Sequence, residues 1–344
     1  MPIKSHAQRS IADLAINPHN RTHIKLQQIH QLINWESLKE ILSRYYTKGQ
    51  SKVGRSAYPP LLLFKACLLQ TWYGLSDYQL EDQLQDRIAF KQFCRLSMSD
   101  QVPDASVICR FRKALNNTPA YEELLAAVNS QLITQEIMIH HGTTVDASIT
   151  PTNRKPRGNK AYELNDKQAE EPLQEVVKPS VDPEASWVKR GAKLFYGYKK
   201  HYAVESETGL VLGVHTTGAR CHESKYLRCL LEQVAPPSGS EVLADKGYSS
   251  QENRDIIRQM GLKSRLQYKR NRGEQGSSWM SRYNKAVGLR RYKVERVFGS
   301  LKSWFKTGVA RYVGRSKTHL QHVLEGIAYN LYRAPGLVLK TSMG

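Results

Sequence analysis

Three carboxylates, far apart along the chain, have surroundings suited to phosphate chemistry: Asp146, Asp245 and Glu295. Glu295 is the only acid between Tyr283 and Phe305, with Arg291 four residues before it and Lys302 seven after. At that spacing all three share one side of a helix. From Lys263 to Lys317 there are sixteen Lys/Arg and two Asp/Glu. So basic a window favours phosphates, and the one acid of the Tyr283–Phe305 stretch inside it suggests a metal ligand as well as an ordinary helical salt bridge. Asp146 follows Ile139–Val145, and Asp245 follows Glu241–Ala244. Both runs read as strands, so both acids stand at strand ends, where ligands gather in α/β sheets. Three converging carboxylates repel one another unless cations neutralise them. Hard oxygen donors with no Cys/His set favour Mg²⁺ or Mn²⁺ over zinc. Two such ions, about 3.5–4 Å apart, would activate an attacking hydroxyl and stabilise a leaving oxygen in an in-line phosphoryl displacement. Spacing alone leaves this open, because any long chain offers distant acids.

The elements that must position these residues follow from periodicity. Val287, Val294, Val297, Leu301 and Phe305 recur at helical steps, so Tyr283–Phe305 reads as one amphipathic helix. Upstream, Leu194–Val204 and Leu210–Val214 read as an antiparallel pair turned at Glu207-Thr208-Gly209. A helix over Ser224–Val234 leads to the Asp245 strand. Ser249 with Glu252 reads as a capping box for a helix reaching Met260, and Lys263–Gln267 as a last strand. His319–Tyr332 closes the chain as an amphipathic helix. The second half thus runs β-β-β-α-β-α-β-α, the order of an RNase H-like mixed sheet flanked by helices. Ser148–Lys193, with few apolar residues and an acidic run from Glu163 to Glu184, reads as a mobile insertion. His140 and His141, adjacent on a strand, point to opposite faces and read as structural.

The first half is helical. Helices are expected over Arg21–Lys48, Pro59–Trp72 (ended by Gly74), Ser76–Gln85, Phe90–Phe93 and Pro119–Gln135. Between the last two, Asp104 or Ser106 caps a helix carrying Arg110, Arg112 and Lys113. This could be a helix-turn-helix reader of DNA, or a plain bundle with a solvated basic face. Residues 1–20 and the basic link at 47–57 read as loosely held. The expected division is a helical domain over 1–136, a catalytic domain over 137–318 and a C-terminal helix and tail over 319–344.

Composition narrows the class. The chain has 344 residues, a net charge of +20 and a pI near 9.7, which point to a polyanion, nucleic acid before an anionic membrane. Several of its Tyr, including Tyr268, Tyr283, Tyr292 and Tyr312, lie among the bases, as stacking on nucleotides requires. Five Cys form no C-x-x-C pair; they suit a reducing cytoplasm and read as small core residues. No secretion signal is recognisable, and the most apolar stretch, Pro59–Leu75, is broken by Lys65 and Gln70.

The wording of the sequence adds a resemblance. Thr144-Val-Asp146-Ala-Ser, Phe195-Tyr-Gly-Tyr-Lys199-Lys200-His201, Asp245-Lys-Gly-Tyr and Arg291-x₃-Glu295-x₆-Lys302 occur in order. They resemble bacterial insertion-sequence transposases of the DDE type, specifically the IS-five-like family. Tyr58-Pro-Pro-Leu-Leu-Leu-Phe-Lys, Trp72-Tyr-Gly-Leu-Ser-Asp and Val102-Pro-Asp-Ala-Ser-Val-Ile-Cys-Arg-Phe-Arg are similar to that family's helical N-terminal domain. The resemblance covers about residues 35–335. It implies that Asp146, Asp245 and Glu295 are the catalytic, metal-binding triad, holding two Mg²⁺ or Mn²⁺ ions. Arg291 and Lys302 would contact the DNA end. Lys199, Lys200, Arg110, Arg112 and Lys113 are further candidate DNA contacts. The implied reaction cuts the element's terminal inverted repeats and joins them to target DNA, with at least a dimer on DNA, in a bacterial cytoplasm at the nucleoid. Where the family motif has a Tyr three residues before the Arg, this chain has Gly288. A nuclease or resolvase lacking strand transfer, and a DNA-binding protein without catalysis, are the alternative readings.

Overall fold

The computed structural model describes residues 20–48, 56–157, 161–164, 173–176, 178–270 and 277–341. The expectations for 1–19, for most of the 47–57 link, for part of the acidic run and for 271–276 lie outside the described residues.

Seven helices come first: α1 (Arg21–Leu32), α2 (Trp35–Tyr45), α3 (Pro60–Tyr73), α4 (Asp77–Asp86), α5 (Ile88–Phe93), α6 (Ala105–Leu115) and α7 (Ala120–Thr134). The single helix expected over 21–48 is two, because the Asn34 side chain accepts from Glu36 N and caps a new start. The other signals are as read: Ser76 and Gln79 form a reciprocal capping box, Gly74 ends α3 at φ 61°, and Asp104, not Ser106, caps α6. Every residue of α3 up to Trp72 is buried, so that helix is apolar all round and forms the axis of the helical region.

The second half contains β1 (Gly142–Pro151), β2 (Ala161–Leu164), β3 (Leu173–Val176), β4 (Ser186–Arg190), β5 (Lys193–Glu205), β6 (Val211–Gly218), α8 (Leu227–Val234), β7 (Glu241–Ala244), α9 (Gln251–Gln259), β8 (Lys263–Leu266), α10 (Ser278–Ser303), α11 (Arg315–Arg333) and α12 (Pro335–Thr341). β5 and β6 are antiparallel, as are β1 and β5; β1, β7 and β8 run parallel. The order β6-β5-β1-β7-β8 is the mixed, RNase H-like sheet read from the sequence.

Two corrections concern the insertion. β1 does not stop at Asp146 but runs on to Pro151, because β5 is long enough to pair with it as far as Gly197. The stretch read as a mobile insertion holds the β2–β3 hairpin and β4, and β4 completes the edge of β5 that β6 leaves open below Tyr198. Val181 and Ala185 pack with Tyr196, Tyr198 and Ala310. Asp182, fully buried, accepts from Tyr198 Oη at 2.7 Å and from Gly314 N at 3.1 Å.

The main core is continuous across the expected boundary at 136/137. It joins α1–α7 to Tyr202, Val204, Val211 and Val214 of the sheet, to Val294–Phe305 and to α11. Trp72 Nε1 donates to Ala328 O at 2.8 Å. Asn129 and Asn330 share the Val211 carbonyl. A second core, under the opposite sheet face, holds Val145, Ala203, Leu230, Ala244 and Ile257. The cysteines divide: Cys67 and Cys94 are core residues as expected, but Cys109 and Cys229 are exposed and Cys221 is half-buried.

Candidate active site

The parallel register of β1 with β7 ends at Val145 opposite Ala244. The next residues are Asp146 and Asp245, so the two acids occupy neighbouring places on strands about 4.8 Å apart. Val145 and Ala244 turn into the second core, and strand alternation puts both aspartates on the other face. The row continues on each side. Gln267 N donates to Ala244 O at 3.1 Å, and Asp146 lies opposite Tyr202 of β5.

Helix α10 lies across this row. Gln267 Nε2 donates to Asn284 O at 2.8 Å, Arg291 Nη2 reaches Asp146 Oδ2 at 3.2 Å, and Phe298 stacks on Tyr202 with ring centroids 5.3 Å apart. The step from Asn284 to Arg291 is two helical turns, about 10.5 Å. It matches the two strand spacings, about 9.6 Å, between Gln267 and Asp146. Gly288 lies midway and presents only hydrogen to the sheet; a Cβ there would sit 3.4 Å from Gln267 Nε2. Val287, Val294, Val297 and Leu301 are buried as the apolar stripe requires. The helix begins at Ser278, five residues earlier than expected, because the Ser277 side chain caps it.

Burial raises the Asp146 carboxyl to about 6. The Arg291 guanidinium and the Ala147 N–H, 2.8 Å from Oδ1, oppose that rise, while Asp245 and Glu223 add to it. Asp245, half-buried, accepts from Gly247 N at 2.8 Å and so caps the single 3-10 turn Lys246–Tyr248. Glu223, in the 3-10 turn Glu223–Tyr226, was not singled out by sequence. It reads there only as an acid in a first turn. Its Oε1 and Asp245 Oδ1 lie 2.8 and 2.9 Å from where a side chain on Gly247 would begin, so glycine is what lets the two carboxylates close over the turn. Ser250, not Ser249, caps α9, because Ser249 is taken up in ending that turn.

Glu295 is one helical turn beyond Arg291, exposed, and makes no ion pair among the described residues. Its place on α10 is bracketed by the Arg291–Asp146 and Phe298–Tyr202 contacts. Among the described residues no three His, Cys, Asp or Glu side chains form a group able to hold a metal ion. Asp146 and Asp245 are brought together; Glu295 is carried alongside but not gathered with them. The donors present suit a hard divalent cation. They are carboxylate oxygens only, and one arginine leaves Asp146 still raised. Among the described residues, Arg291 Nε and Tyr248 Oη are buried beside the carboxylates with no hydrogen-bond partner.

The candidate DNA contacts separate. Lys200 is buried and paired with Glu325 at 2.7 Å, each side chain 1% exposed. Arg112 is buried against Asp77 at 2.6 Å and Gln70 at 3.1 Å. Neither reaches solvent, so both are structural cations and not phosphate contacts; a helical pattern marks a base as polar but not which way its chain turns. Arg112 also weakens the helix-turn-helix reading of α6. Lys199 donates to Cys221 O at 2.8 Å and lies 3.5 Å from Glu223. Arg110, Lys113 and Lys302 are exposed, and burial of its stem lowers the Lys302 ammonium from its usual value, with Lys200 and Arg190 adding to the effect. No helix among the described residues is long and apolar enough to cross a membrane.

Two family models match the chain: Transposase domain (DUF772) over residues 14–114, and Transposase DDE domain over residues 140–331, more than half of the chain. Among solved structures, it is similar to the piggyBac transposase synaptic complex with hairpin DNA at 12% identity and a TM-score of 0.43, covering 98% of this chain and 79% of that one. The Mos1 mariner paired-end complex with Mn matches at 10% identity and a TM-score of 0.21, covering 87% of this chain and 100% of that one. Members of the DDE family generally use divalent metals. With the DDE model spanning both aspartates and α10, the chain belongs to the transposase DDE domain family and is a DDE transposase of the insertion-sequence type.

Proposed function

We propose that this transposase cuts the ends of its own element at terminal inverted repeats and joins them to target DNA, with Asp146, Asp245 and Glu295 as its catalytic carboxylates. The observation that carries the reading is the row under α10. Two aspartates occupy adjacent places on parallel strands, and the helix that bears Glu295 is fixed to one of them by Arg291. Asp146 and Asp245 would hold Mg²⁺ or Mn²⁺, and a rotamer change of exposed Glu295 would complete the ligand set. Bound there, two such ions would supply an activated hydroxyl and a counter-charge for the leaving oxygen. Arg291 keeps Asp146 oriented and partly neutralised until then. Lys302, Arg110 and Lys113 are the exposed cations that suit the DNA path. The helical region from residue 1 to 136 would do most of the end binding and residues 137–318 the chemistry. Acting on two ends at once requires at least two copies on DNA.

The test is a strand-transfer assay with the inverted repeats that flank the gene, run on wild type, Asp146→Asn, Asp245→Asn and Glu295→Gln. Each variant is expected to lose cleavage and joining by at least about a thousandfold, as removal of one member of a catalytic unit does, while retaining end binding. A Glu295→Gln protein that still joins ends would remove Glu295 from the site. Cleavage without joining in wild type would favour the nuclease reading.

A further inference from the structure

Glu223, which no sequence motif marked, stands at the aspartates. It comes from the loop between β6 and α8, where the 3-10 turn Glu223–Tyr226 is capped by the His222 side chain. A Cβ on Gly247 would lie 2.8 Å from Glu223 Oε1 and 2.9 Å from Asp245 Oδ1. Both oxygens border that one point, so they lie no further apart than those two distances laid end to end. Burial is the first cause of the raised Asp146 carboxyl, but Glu223 adds to the rise as Asp245 does. Glu223 is therefore within electrostatic reach of Asp146 and close beside Asp245.

An ordinary ion pair does not account for this placement. Lys199 Nζ makes its short bond to Cys221 O at 2.8 Å and lies 3.5 Å from Glu223 Oε2. Glu223 Oε1 is left turned to Asp245, and like charges so placed repel. Tyr248, fully buried, lies among the same acids, and among the described residues its Oη has no hydrogen-bond partner. Burial, then the charges of Asp146, Glu223 and Asp245, raise its phenol well above the usual value. A buried donor left over among three acids marks a place that takes a ligand. As the structure stands, these acids do not form a closed ligand set. A cation draws on each flank: Arg291 holds Asp146 at 3.2 Å, and Lys199 lies by Glu223. A dication between the carboxylates would take the place of both.

Resting on the proposed function, we propose that Glu223 is a metal-binding carboxylate of this site, holding one divalent cation together with Asp146 and Asp245 before Glu295 turns in. Carboxylate oxygens suit Mg²⁺ or Mn²⁺, with water in the remaining positions. Lys199 is the counter-charge that keeps Glu223 in place until the cation arrives.

The test is Mn²⁺ binding to the full chain without DNA, read from the electron paramagnetic resonance signal of the free ion. Wild type should bind, and Glu223→Gln should bind at least about tenfold more weakly, as should Asp146→Asn and Asp245→Asn. Glu295→Gln should stay near wild type, because that side chain is not gathered in. Lys199→Gln should bind more tightly, since it removes the cation that competes for Glu223. Glu223→Asp keeps the charge but draws the carboxylate back by one methylene, so it should recover only part of the loss. Circular dichroism checks that each variant is folded. Unchanged affinity in Glu223→Gln overturns the proposal. So does full recovery in Glu223→Asp, which would mean charge at a distance and not contact. In either case, weakened binding in Asp146→Asn leaves the proposed function standing. Absence of binding in wild type overturns the proposal as well, and the strand-transfer assay, which supplies DNA, then decides the proposed function separately.

Discussion

At the scale of single residues, Asp146 carries the sharpest physical signature. Its carboxyl is raised to about 6, first by burial and then by Asp245 and Glu223, despite Arg291. The folded chain therefore holds that proton more tightly than the unfolded chain. Stability from the proton is present at low pH and is lost as pH rises through about 6. Asparagine carries no such charge. In metal-free buffer, Asp146→Asn and wild type should differ little at a pH of about 4 from this source, and the variant should gain about 2–3 kcal/mol on wild type by a pH of about 8. Thermal denaturation across that range reads the gap. A constant gap would mean that the carboxylate is not penalised. Mg²⁺ should then raise the melting temperature of wild type at neutral pH and leave Asp146→Asn nearly unmoved, which reports metal binding without any turnover. The adjacency of Asp146 and Asp245 was legible from sequence because each comes after a β-run, although β1 carries on through Asp146 to Pro151. Glu223 was not, since its neighbourhood is made by two 3-10 turns distant in sequence. Lys200 and Arg112 were misread for the converse reason. A charge on a basic stretch is visible in sequence, but its burial beside Glu325 or Asp77 depends on which helix arrives from elsewhere.

Among the elements, register matters most. β5 carries β1 on one edge from Gly197 to Glu205, and shares its other edge between β4 and β6. Gly197 sits at the changeover. A side chain there would collide with the Thr150 carbonyl and the Pro151 backbone, neither of which can swing away. Gly197→Ala should therefore cost about 1–3 kcal/mol through forced backbone displacement, read as a lower denaturant midpoint. Gly288→Ala should do the opposite. It meets only the end of Gln267 at 3.4 Å, and alanine is worth up to about 1 kcal/mol over glycine inside a helix. If both substitutions destabilise alike, the fit of α10 over the row is tighter than its contacts imply. The strands and α10 were readable because period and capping are local. The paired role of 148–193 was not, because β2, β3 and β4 have little apolar alternation of their own and are ordered by partners: β2 by β3, and β4 by the open edge of β5.

For the whole molecule, charge and core pull in different directions. A net +20 favours a polyanionic partner whose phosphate contacts release counterions, so DNA binding should weaken by roughly a hundredfold or more between about 50 and 200 mM salt; a flat response would argue against phosphate contacts. The core, by contrast, has no seam at the expected domain boundary, since α3, α7, β5, β6 and α11 share it. The Lys200–Glu325 pair lies inside that junction, linking β5 to α11, with Gln321 Nε2 also donating to Glu325 at 2.7 Å. Burying two charges gains little net stability when they are paired, but removing one leaves the other stranded. Glu325→Gln should therefore lower stability by about 3–5 kcal/mol. Lys200→Met combined with Glu325→Leu should recover most of that, since both desolvation costs vanish together. Because the pair bridges parts that were read as separate domains, the loss should appear as one shifted urea transition seen alike by circular dichroism and Trp fluorescence. Two separated transitions would mean that the helical region and the sheet fold independently, and that the shared core is an interface between domains.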